Sequence, residues 1–267
     1  VRDAGLVRDL VGGCDLVLHL ASLIAIPYSY LAPASFVEIN VVGALNVLEA
    51  VRASGATMIN TSTSEVYGTP ESVPINETHP LRAQSPYAAS KIAADKLCES
   101  YAASFDVDVA TLRPFNTYGP RQSMRAVIPT VLTQLLAGAN EVRLGNLSPR
   151  RDFTFVSDTV DGFVRAATVG MRPGETVQLG TGRTVSIGEV VDLCRVVAGR
   201  EEAEVVVEGE RVRPEGSEVE VLLSDPTIAR DRFGWTAEVN LEDGLRATAA
   251  WISDRRPDVD AAARYVR

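Results

Sequence analysis

Tyr87 and Lys91 are the two residues whose types and spacing best suit proton transfer. They stand four positions apart in SPYAASKIAADKL, and residues four apart lie on the same face of a helix. An ammonium group near a phenol favours the phenolate and lowers the phenol's pKa from about 10. The pair therefore predicts a general base that works near neutral pH. The same spacing also fits an ordinary tyrosine and a solvated lysine, so its context has to decide.

A second group of reactive side chains lies in STSEVYG, directly after the apolar segment ATMIN. A buried strand that ends there sets the Thr63 hydroxyl at the mouth of a sheet, one connection before the helix of Tyr87. Ser64 and Glu65 follow, and a carboxylate at this place indicates a second proton transfer. The alternative is a turn that carries a solvated acid.

Alternating strands and helices must position these side chains. Gly55, Ser85 and Pro86 mark helix ends, and CDLVLHLAS is nearly continuous apolar sequence, which predicts a central strand covered on both faces. The pattern predicts an α/β fold with a Rossmann-type doubly wound parallel sheet. A smaller mixed α/β lobe is expected behind it, with RRDFTFV as one short strand. We expect residues 1–121 plus about 152–182 to form the dinucleotide-binding domain, and 122–151 plus 183–267 the second lobe.

Composition excludes several classes of protein. The 267 residues carry a formal net charge of -9, with 46% hydrophobic and 23% charged residues, which argues against a nucleic-acid surface. No unbroken apolar run approaches the roughly 18 residues of a membrane span, so no membrane is expected and the cytoplasm is the default location. The cysteines Cys14, Cys98 and Cys194 are expected to be reduced core thiols. His19, expected to be a core histidine, and His79 give no metal signature.

Seven segments, in order, resemble the extended short-chain dehydrogenase/reductases, the NAD-dependent epimerase/dehydratase family. They are DLVLHLAS, NVVGALNVLEA, STSEVYG, SPYAASKIAADKL, RPFNTYGPR, RRDFTFVSD and RVRPEGSEVEVLLSD. The order Thr63, Ser64, Glu65 is most similar to the nucleotide-sugar 4,6-dehydratases, in particular to the GDP-mannose type. The resemblance implies a redox-neutral enzyme that converts a nucleotide-diphosphate hexose to its 4-keto-6-deoxy form with bound NAD or NADP, NAD being favoured.

The resemblance also implies roles for single residues. Thr63, Tyr87 and Lys91 would form the hydride-transfer set, while Glu65 and Ser64 would serve the elimination of water. Residues expected to bind the cofactor, besides Tyr87 and Lys91, are Leu20, Ala21, Ser22, Thr61 and Pro114. Residues expected to bind the substrate are Asn116, Arg151 and Arg213, with Arg121, Arg125 and Arg211 as weaker candidates. A homodimer through a four-helix contact that includes the Tyr87 helix is also implied.

Three alternatives stay open. UDP-glucuronate decarboxylases carry a similar Ser-Glu pair, although their Tyr-to-Lys segment differs from YAASK, and 4-epimerases need little beyond Thr63, Tyr87 and Lys91. The glycine-rich turn that binds the dinucleotide pyrophosphate in this family has no counterpart in the sequence. The first βαβ unit is therefore expected to lie outside it, and a non-catalytic fragment is the alternative of another class.

Overall fold

A computed structural model describes residues 1–255 of the protein. Within this range the strands, numbered β1 to β11 in chain order, are Leu16–His19, Thr57–Thr61, Val109–Pro114, Asn116–Tyr118, Glu141–Leu144, Arg150–Arg151, Phe153–Phe155, Thr176–Leu179, Val185–Ser186, Glu204–Val207 and Val221–Leu222. The described part contains a four-stranded sheet in the order β1-β2-β3-β8, and all its neighbouring strands are parallel. The predicted α/β fold with a parallel Rossmann-type sheet is thereby confirmed.

Helices cover this sheet and build the second lobe. The α-helices, α1 to α10 in chain order, are Ala4–Val11, Ile26–Leu31, Pro33–Phe36, Gly43–Ser54, Pro86–Phe105, Val127–Leu136, Val156–Val169, Ile187–Ala198, Thr227–Phe233 and Leu241–Ser253. A π-helical segment, Val37–Val42, joins α3 to α4, and 3-10 turns span Ser64–Tyr67, Gly209–Arg211 and Glu215–Ser217.

Local signals in the sequence explain where several helices begin and end. The Ser85 hydroxyl accepts a hydrogen bond from the Ala88 amide at the start of α5, and Pro86 follows in the first turn. Gly55 ends α4 in the left-handed conformation, with φ 78°. Ser186 and Glu189 form a capping box at the start of α8. The helix boundaries of the α/β repeat follow from these side chains.

Separate apolar clusters hold the sheet and the second lobe. One side of the sheet packs against α1, α4 and α5, through a buried set that includes Leu48, Val51, Met58 and Val109. The second lobe has its own core, in which α6, α8 and α10 pack together with β5. Its strands form small sheets, β5 with β10 and β6 with β9 and β11. The division into two domains stays a prediction, and the residues after 255 assigned to the second lobe lie outside the described range.

The segment RRDFTFV forms two strands instead of the one expected. Arg150–Arg151 pairs with β9 and β11, whereas Phe153–Phe155 pairs with β4. Asp152 separates them, and its buried carboxylate accepts hydrogen bonds from the backbone or hydroxyl groups of Thr181, Gly182 and Ser224. These donors lie after β8 and β11. The Asp152 carboxylate therefore connects the segments after β8 and β11 to the point where the chain passes from one small sheet to another.

Two further expectations are wrong. Strand β1 is not a central strand covered on both faces, because no strand of residues 1–255 pairs with its outer edge and Leu18 is 41% exposed. Cys14 is not a core thiol. It is exposed in the turn between α1 and β1, whereas Cys98 and Cys194 are buried free thiols.

The expectation that no segment is apolar enough to span a membrane needs a correction at one helical stretch. Residues Pro33–Ser54, in the part of the chain that the structure describes, are long and apolar enough to cross a membrane by length and composition alone. The sequence has no unbroken apolar run there, but an averaged window reaches a mean hydropathy of 1.5. Core helices of soluble proteins and signal sequences meet the same criterion, so the finding is weak evidence for a span.

Candidate active site

Tyr87 and Lys91 lie on the buried face of α5, one turn apart. Their exposed fractions are 6% and 4%. The Ser85 cap and Pro86 fix the start of the helix, so Tyr87 stands in its first turn near the carboxyl ends of the strands. The Tyr87 ring packs edge-on against Phe36, with 6.2 Å between ring centroids. The prediction that both side chains share one helix face is confirmed.

Lys91 is held by the strand that precedes the candidate catalytic turn. Its Nζ atom donates a hydrogen bond to the Thr61 carbonyl at 2.5 Å. Burial lowers the pKa of Lys91, and the nearby Asp95 carboxylate opposes that shift. Asp95 stands one turn further along α5 and is 1% exposed. The ammonium group is therefore fixed by a backbone carbonyl and stabilised by one buried anion.

The Tyr87 phenol differs from the prediction. We expected the Lys91 ammonium to lower the pKa of Tyr87, but burial raises it well above its usual value. A hydrogen bond with Thr63 lowers it in part, while the charges of Glu65 and Asp95 raise it further. The reason is that the phenol loses its solvent, whereas the lysine is directed to the Thr61 carbonyl.

Glu65 and Thr63 lie in one short turn at the end of β2. Thr63 is extended, with φ -157° and ψ 152°, and its Oγ1 accepts a hydrogen bond from the Glu65 amide at 3.3 Å. Ser64 is buried, with 2% of its surface exposed. Glu65 Oε1 lies 3.9 Å from Nη1 of Arg213 in the second lobe. The turn thus brings the Glu65 carboxylate to Arg213, and the charge of Glu65 raises the pKa of the Tyr87 phenol.

Arg151 and Arg213 come together in the second lobe, as expected of a pair that binds one anion. Each lies near Oε1 of Glu218, at 3.5 Å from Arg151 Nη2 and 3.7 Å from Arg213 Nη1. We call Glu65, Arg151, Arg213 and Glu218 the arginine cluster. Burial lowers the pKa of Arg151, and among its neighbours Glu65 and Glu218 raise it whereas Arg213 lowers it.

The other arginines considered from the sequence take different places. Arg121 and Arg125 are exposed in the loop before α6, and Arg121 has a positive φ of 68°. Arg211 lines a cavity of about 170 Å³ together with Arg213 and Tyr30. Asn116 opens β4, and its buried Oδ1 has no hydrogen-bond partner within residues 1–255. The cavity leaves room for a ligand beside Arg213, and the unpaired Asn116 amide oxygen can accept a hydrogen bond from one.

The strand ends provide the residues that could hold a dinucleotide. Leu20 and Ala21 are exposed after β1, Ser22 is half-buried, and Pro114 ends β3. Asn40 fixes this edge, because its amide bonds the Leu23 backbone N–H and carbonyl and the Ser90 hydroxyl.

Two further side chains at the strand ends, Thr61 and His19, bear on whether the site fits a dinucleotide. Thr61 Oγ1 is buried with no hydrogen-bond partner in the part of the chain described here. Burial lowers the pKa of His19 to about 4, so this histidine, buried at the end of β1 as expected, is neutral. A free hydroxyl beside Lys91 and Tyr87, at open strand ends, suits the ribose and nicotinamide of NAD(P), so the residues present fit this part of the cofactor.

Sequence reasoning missed three residues that shape this site. Asp95 had a signal, because it stands four positions after Lys91 and so lies on the same helix face. Asn40 interrupts the apolar pattern of its helix, which for a buried position indicates a hydrogen-bonding role. Glu218 had no signal, because it resembles its exposed neighbours Glu215 and Glu220 in the sequence.

Within residues 1–255, no group of three or more His, Cys, Asp or Glu side chains is arranged to hold a metal ion.

Comparison with known proteins agrees with this geometry. The family model described as GDP-mannose 4,6 dehydratase matches residues 1–248. The chain belongs to this family. A similar protein is a dTDP-glucose 4,6-dehydratase of Streptomyces griseus, which is 35% identical over 250 residues, or 93% of this chain and 75% of the relative. The predicted family is thereby confirmed, and the protein is an enzyme of the nucleotide-sugar dehydratase and epimerase type.

The similar proteins catalyse more than one type of reaction, since they include dehydratases, epimerases and a reductase. A UDP-glucose 4-epimerase of Mycolicibacterium smegmatis is 33% identical over 246 residues, or 90% of this chain and 77% of the relative. Among solved structures, a double mutant of the dTDP-glucose 4,6-dehydratase DesIV of Streptomyces venezuelae, with NAD bound, superposes with a TM-score of 0.89. It is 28% identical, and the match covers 96% of this chain and 78% of that one. Its NAD agrees with the cofactor expected from the sequence.

Proposed function

We propose that the protein is a nucleotide-sugar 4,6-dehydratase, which converts a nucleotide-diphosphate hexose to the 4-keto-6-deoxy sugar nucleotide with bound NAD(P). The observation that carries this proposal is the position of Glu65. Its carboxylate is close enough to raise the pKa of Tyr87 and lies 3.9 Å from Arg213. A carboxylate whose charge reaches the phenol is what a dehydratase needs for its second proton transfer, and a simple 4-epimerase does not need it.

Tyr87 and Thr63 act on the sugar hydroxyl at C4. Thr61, Tyr87 and Lys91 at the strand ends would hold NAD(P), which would supply the redox chemistry by taking a hydride from C4 and returning it to C6. Tyr87, as phenolate, takes the proton of the C4 hydroxyl, and Thr63 donates a hydrogen bond to the oxygen that becomes a carbonyl. Lys91, held on the Thr61 carbonyl, keeps a positive charge beneath the site.

Glu65 acts on the neighbouring carbon. A ketone at C4 makes the hydrogen on C5 acidic, because the electron pair left on C5 spreads onto the ketone oxygen. Glu65 takes this proton, and the C6 hydroxyl leaves as water after it receives a proton from Glu65 or Ser64. With hydride returned to C6, C5 would take up one proton, which balances the proton that Tyr87 took from the C4 hydroxyl. The sugar thus loses one water and the overall change is redox-neutral.

Asn116, Arg151 and Arg213 hold the substrate in this proposal. A guanidinium group binds two phosphate oxygens at once, and the unpaired Asn116 amide oxygen accepts one hydrogen bond from a ligand hydroxyl. The homodimer and the cytoplasmic location expected from the sequence are part of the same proposal.

The test is to incubate the purified full-length protein with a panel of nucleotide-diphosphate hexoses and to weigh the products. Loss of one water with formation of a 4-keto sugar supports the proposal. Loss of carbon dioxide from a UDP-uronate would identify a decarboxylase, and inversion at C4 without a mass change would identify an epimerase. Either of these outcomes, with no water lost from any hexose, contradicts the dehydratase assignment.

A further inference from the structure

Glu218 directs one carboxylate oxygen at both arginines of the cluster. Oε1 lies 3.5 Å from Arg151 Nη2 and 3.7 Å from Arg213 Nη1. The Glu218 side chain is 12% exposed and that of Arg151 5%, so the interaction lies largely outside bulk water. Both distances are those of ion pairs and exceed that of a charge-assisted hydrogen bond. The Glu218 carboxylate is therefore shared by the guanidinium groups of Arg151 and Arg213, and it forms a close hydrogen bond with neither.

The arginines need this anion while no ligand is bound. The positive charge of Arg213 lowers the pKa of Arg151, which is the repulsion expected between neighbouring cations, and Glu65 and Glu218 oppose it. Arg213 Nη1 is itself buried and has no hydrogen-bond partner among the described residues. A buried donor without an acceptor costs stability, so the cluster keeps a hydrogen-bonding position open at this cation pair.

We propose that Glu218 takes the place of the substrate's diphosphate in the free protein and thereby sets how tightly nucleoside diphosphates bind. This inference rests on the proposed function, in which Arg151 and Arg213 receive the diphosphate. Glu218 is a positioning residue in this role: it keeps the two arginines side by side and makes no contact with reacting atoms. When the phosphates bind between the arginines, they compete with the Glu218 carboxylate for the same cations.

Loss of the Glu218 charge should strengthen nucleotide binding, although Glu218 belongs to the binding cluster. A negative charge a few ångströms from an incoming diphosphate opposes its binding, so removal of the Glu218 charge tightens binding by about ten-fold, or about 1.4 kcal/mol. The same change leaves Glu65 as the only carboxylate of the cluster, so the repulsion between Arg151 and Arg213 increases in the free protein and its melting temperature falls. Tighter binding together with lower stability distinguishes this role from a merely structural one.

The experiment compares Glu218→Gln with Glu220→Gln in the purified full-length protein. Glu220 is the matched control, because its charge also raises the pKa of Arg151 but its side chain is exposed. Isothermal titration calorimetry with UDP, dTDP and GDP measures affinity, and thermal unfolding without ligand measures stability. We expect Glu218→Gln to bind the preferred nucleotide about ten-fold more tightly and to melt lower, while Glu220→Gln stays within about two-fold of wild type.

Equal or weaker binding by a folded Glu218→Gln protein overturns the inference. If that variant does not fold, Glu218→Asp carries the test, because a shorter side chain withdraws the carboxylate and must give tighter binding than wild type. The product assay separates this inference from the proposed function. Tighter binding by Glu218→Gln, with no loss of water from any hexose in the wild-type assay, would support the role of Glu218 and contradict the dehydratase proposal. Dehydration by the wild type with unchanged affinity in Glu218→Gln would support the dehydratase proposal and contradict the role of Glu218.

Discussion

The surroundings of Lys91 and the arginine cluster handle buried charge in opposite ways. Beneath Lys91, Asp95 accepts hydrogen bonds from the Ser62 hydroxyl at 2.6 Å, the Arg113 guanidinium at 2.8 Å and the Asn60 amide at 3.2 Å. In the arginine cluster the ion pairs span 3.5 to 3.9 Å. Short hydrogen bonds thus fix the side chains around Asp95 and Lys91. The arginine cluster is joined by longer ion pairs, so its guanidinium groups remain open to a ligand.

The difference reflects what each region has to bind. The Lys91 region must hold a proton-transfer group in one geometry, and a satisfied buried network is stiff. Arg113 extends this network to Tyr67, whose hydroxyl donates to Gln178. The arginine cluster must instead accept a charged ligand, so hydrogen bonds that the protein leaves unmade become available to the ligand. The predictions below test this contrast, from the largest expected effect to the smallest.

Removal of the Tyr87 hydroxyl is expected to have the largest effect. Tyr87→Phe keeps the ring against Phe36 but removes the proton acceptor, so kcat should fall by about 10²–10⁴-fold. Tyr101→Phe on the same helix is the control, because its hydroxyl bonds Glu49 and lies away from the site. Steady-state kinetics with the identified substrate provides the measurement. A Tyr87→Phe enzyme with near wild-type kcat would refute the role of the phenol.

Removal of the Asp95 charge should chiefly reduce stability. Asp95→Asn leaves Arg113 and Lys91 as buried cations without their shared anion, and the free energy of unfolding should fall by about 3–5 kcal/mol. Glu99→Gln on the same helix breaks the exposed pair with Lys96, and its expected cost is about 0–1 kcal/mol. Urea unfolding of both variants gives the comparison. Equal losses for the two would mean that the buried network is no stiffer than a surface pair.

Replacement of one arginine of the cluster tests the open region. Arg213→Lys keeps the charge but loses the planar fork, and affinity for the preferred nucleoside diphosphate should fall about ten-fold. The exposed Arg125→Lys is the control and should bind as the wild type does. Calorimetric titration measures both. Unchanged affinity in Arg213→Lys would show that the fork does not bind the diphosphate.

The pH dependence of activity should move when Thr63 is replaced. The active form of Tyr87 is the phenolate, and its pKa is raised, so kcat/KM should increase from neutral towards alkaline pH. The Thr63 hydrogen bond lowers this pKa, so Thr63→Ala should shift the rising limb to higher pH, whereas exposed Thr69→Ala should not. A limb that stays in place or moves to lower pH in Thr63→Ala would contradict the cause assigned to the shift.

Local signals made most of the fold predictable. Ser85, Pro86, Gly55 and the capping box at Ser186 act within a few residues, and the structure has them where the sequence indicates. The pairing of β1 within residues 1–255 does not follow from such signals, because an apolar run has the same appearance in an edge strand and in a central one. Whether a strand is covered depends on pairing with residues far along the chain.

The sequence predicted part of the geometry of the candidate site and less of its electrostatics. The spacing of Tyr87 and Lys91 correctly predicted their shared face, yet it gave the wrong direction for the pKa of Tyr87. That error has a physical cause, since the direction of the Lys91 ammonium depends on the Thr61 carbonyl, which a helix pattern does not contain. Glu218 was missed for the same reason, because its importance comes from two arginines on other segments.

The most direct test of the account is to follow the hydrogen on C5 with a substrate deuterated at that carbon. The wild-type enzyme should release the label to water, because Glu65 removes it after oxidation at C4. Glu65→Gln should retain the label while reduced nicotinamide still forms, since Tyr87 and Thr63 are unchanged. Release of the C5 label by Glu65→Gln at the wild-type rate would contradict the assignment of Glu65 as the base.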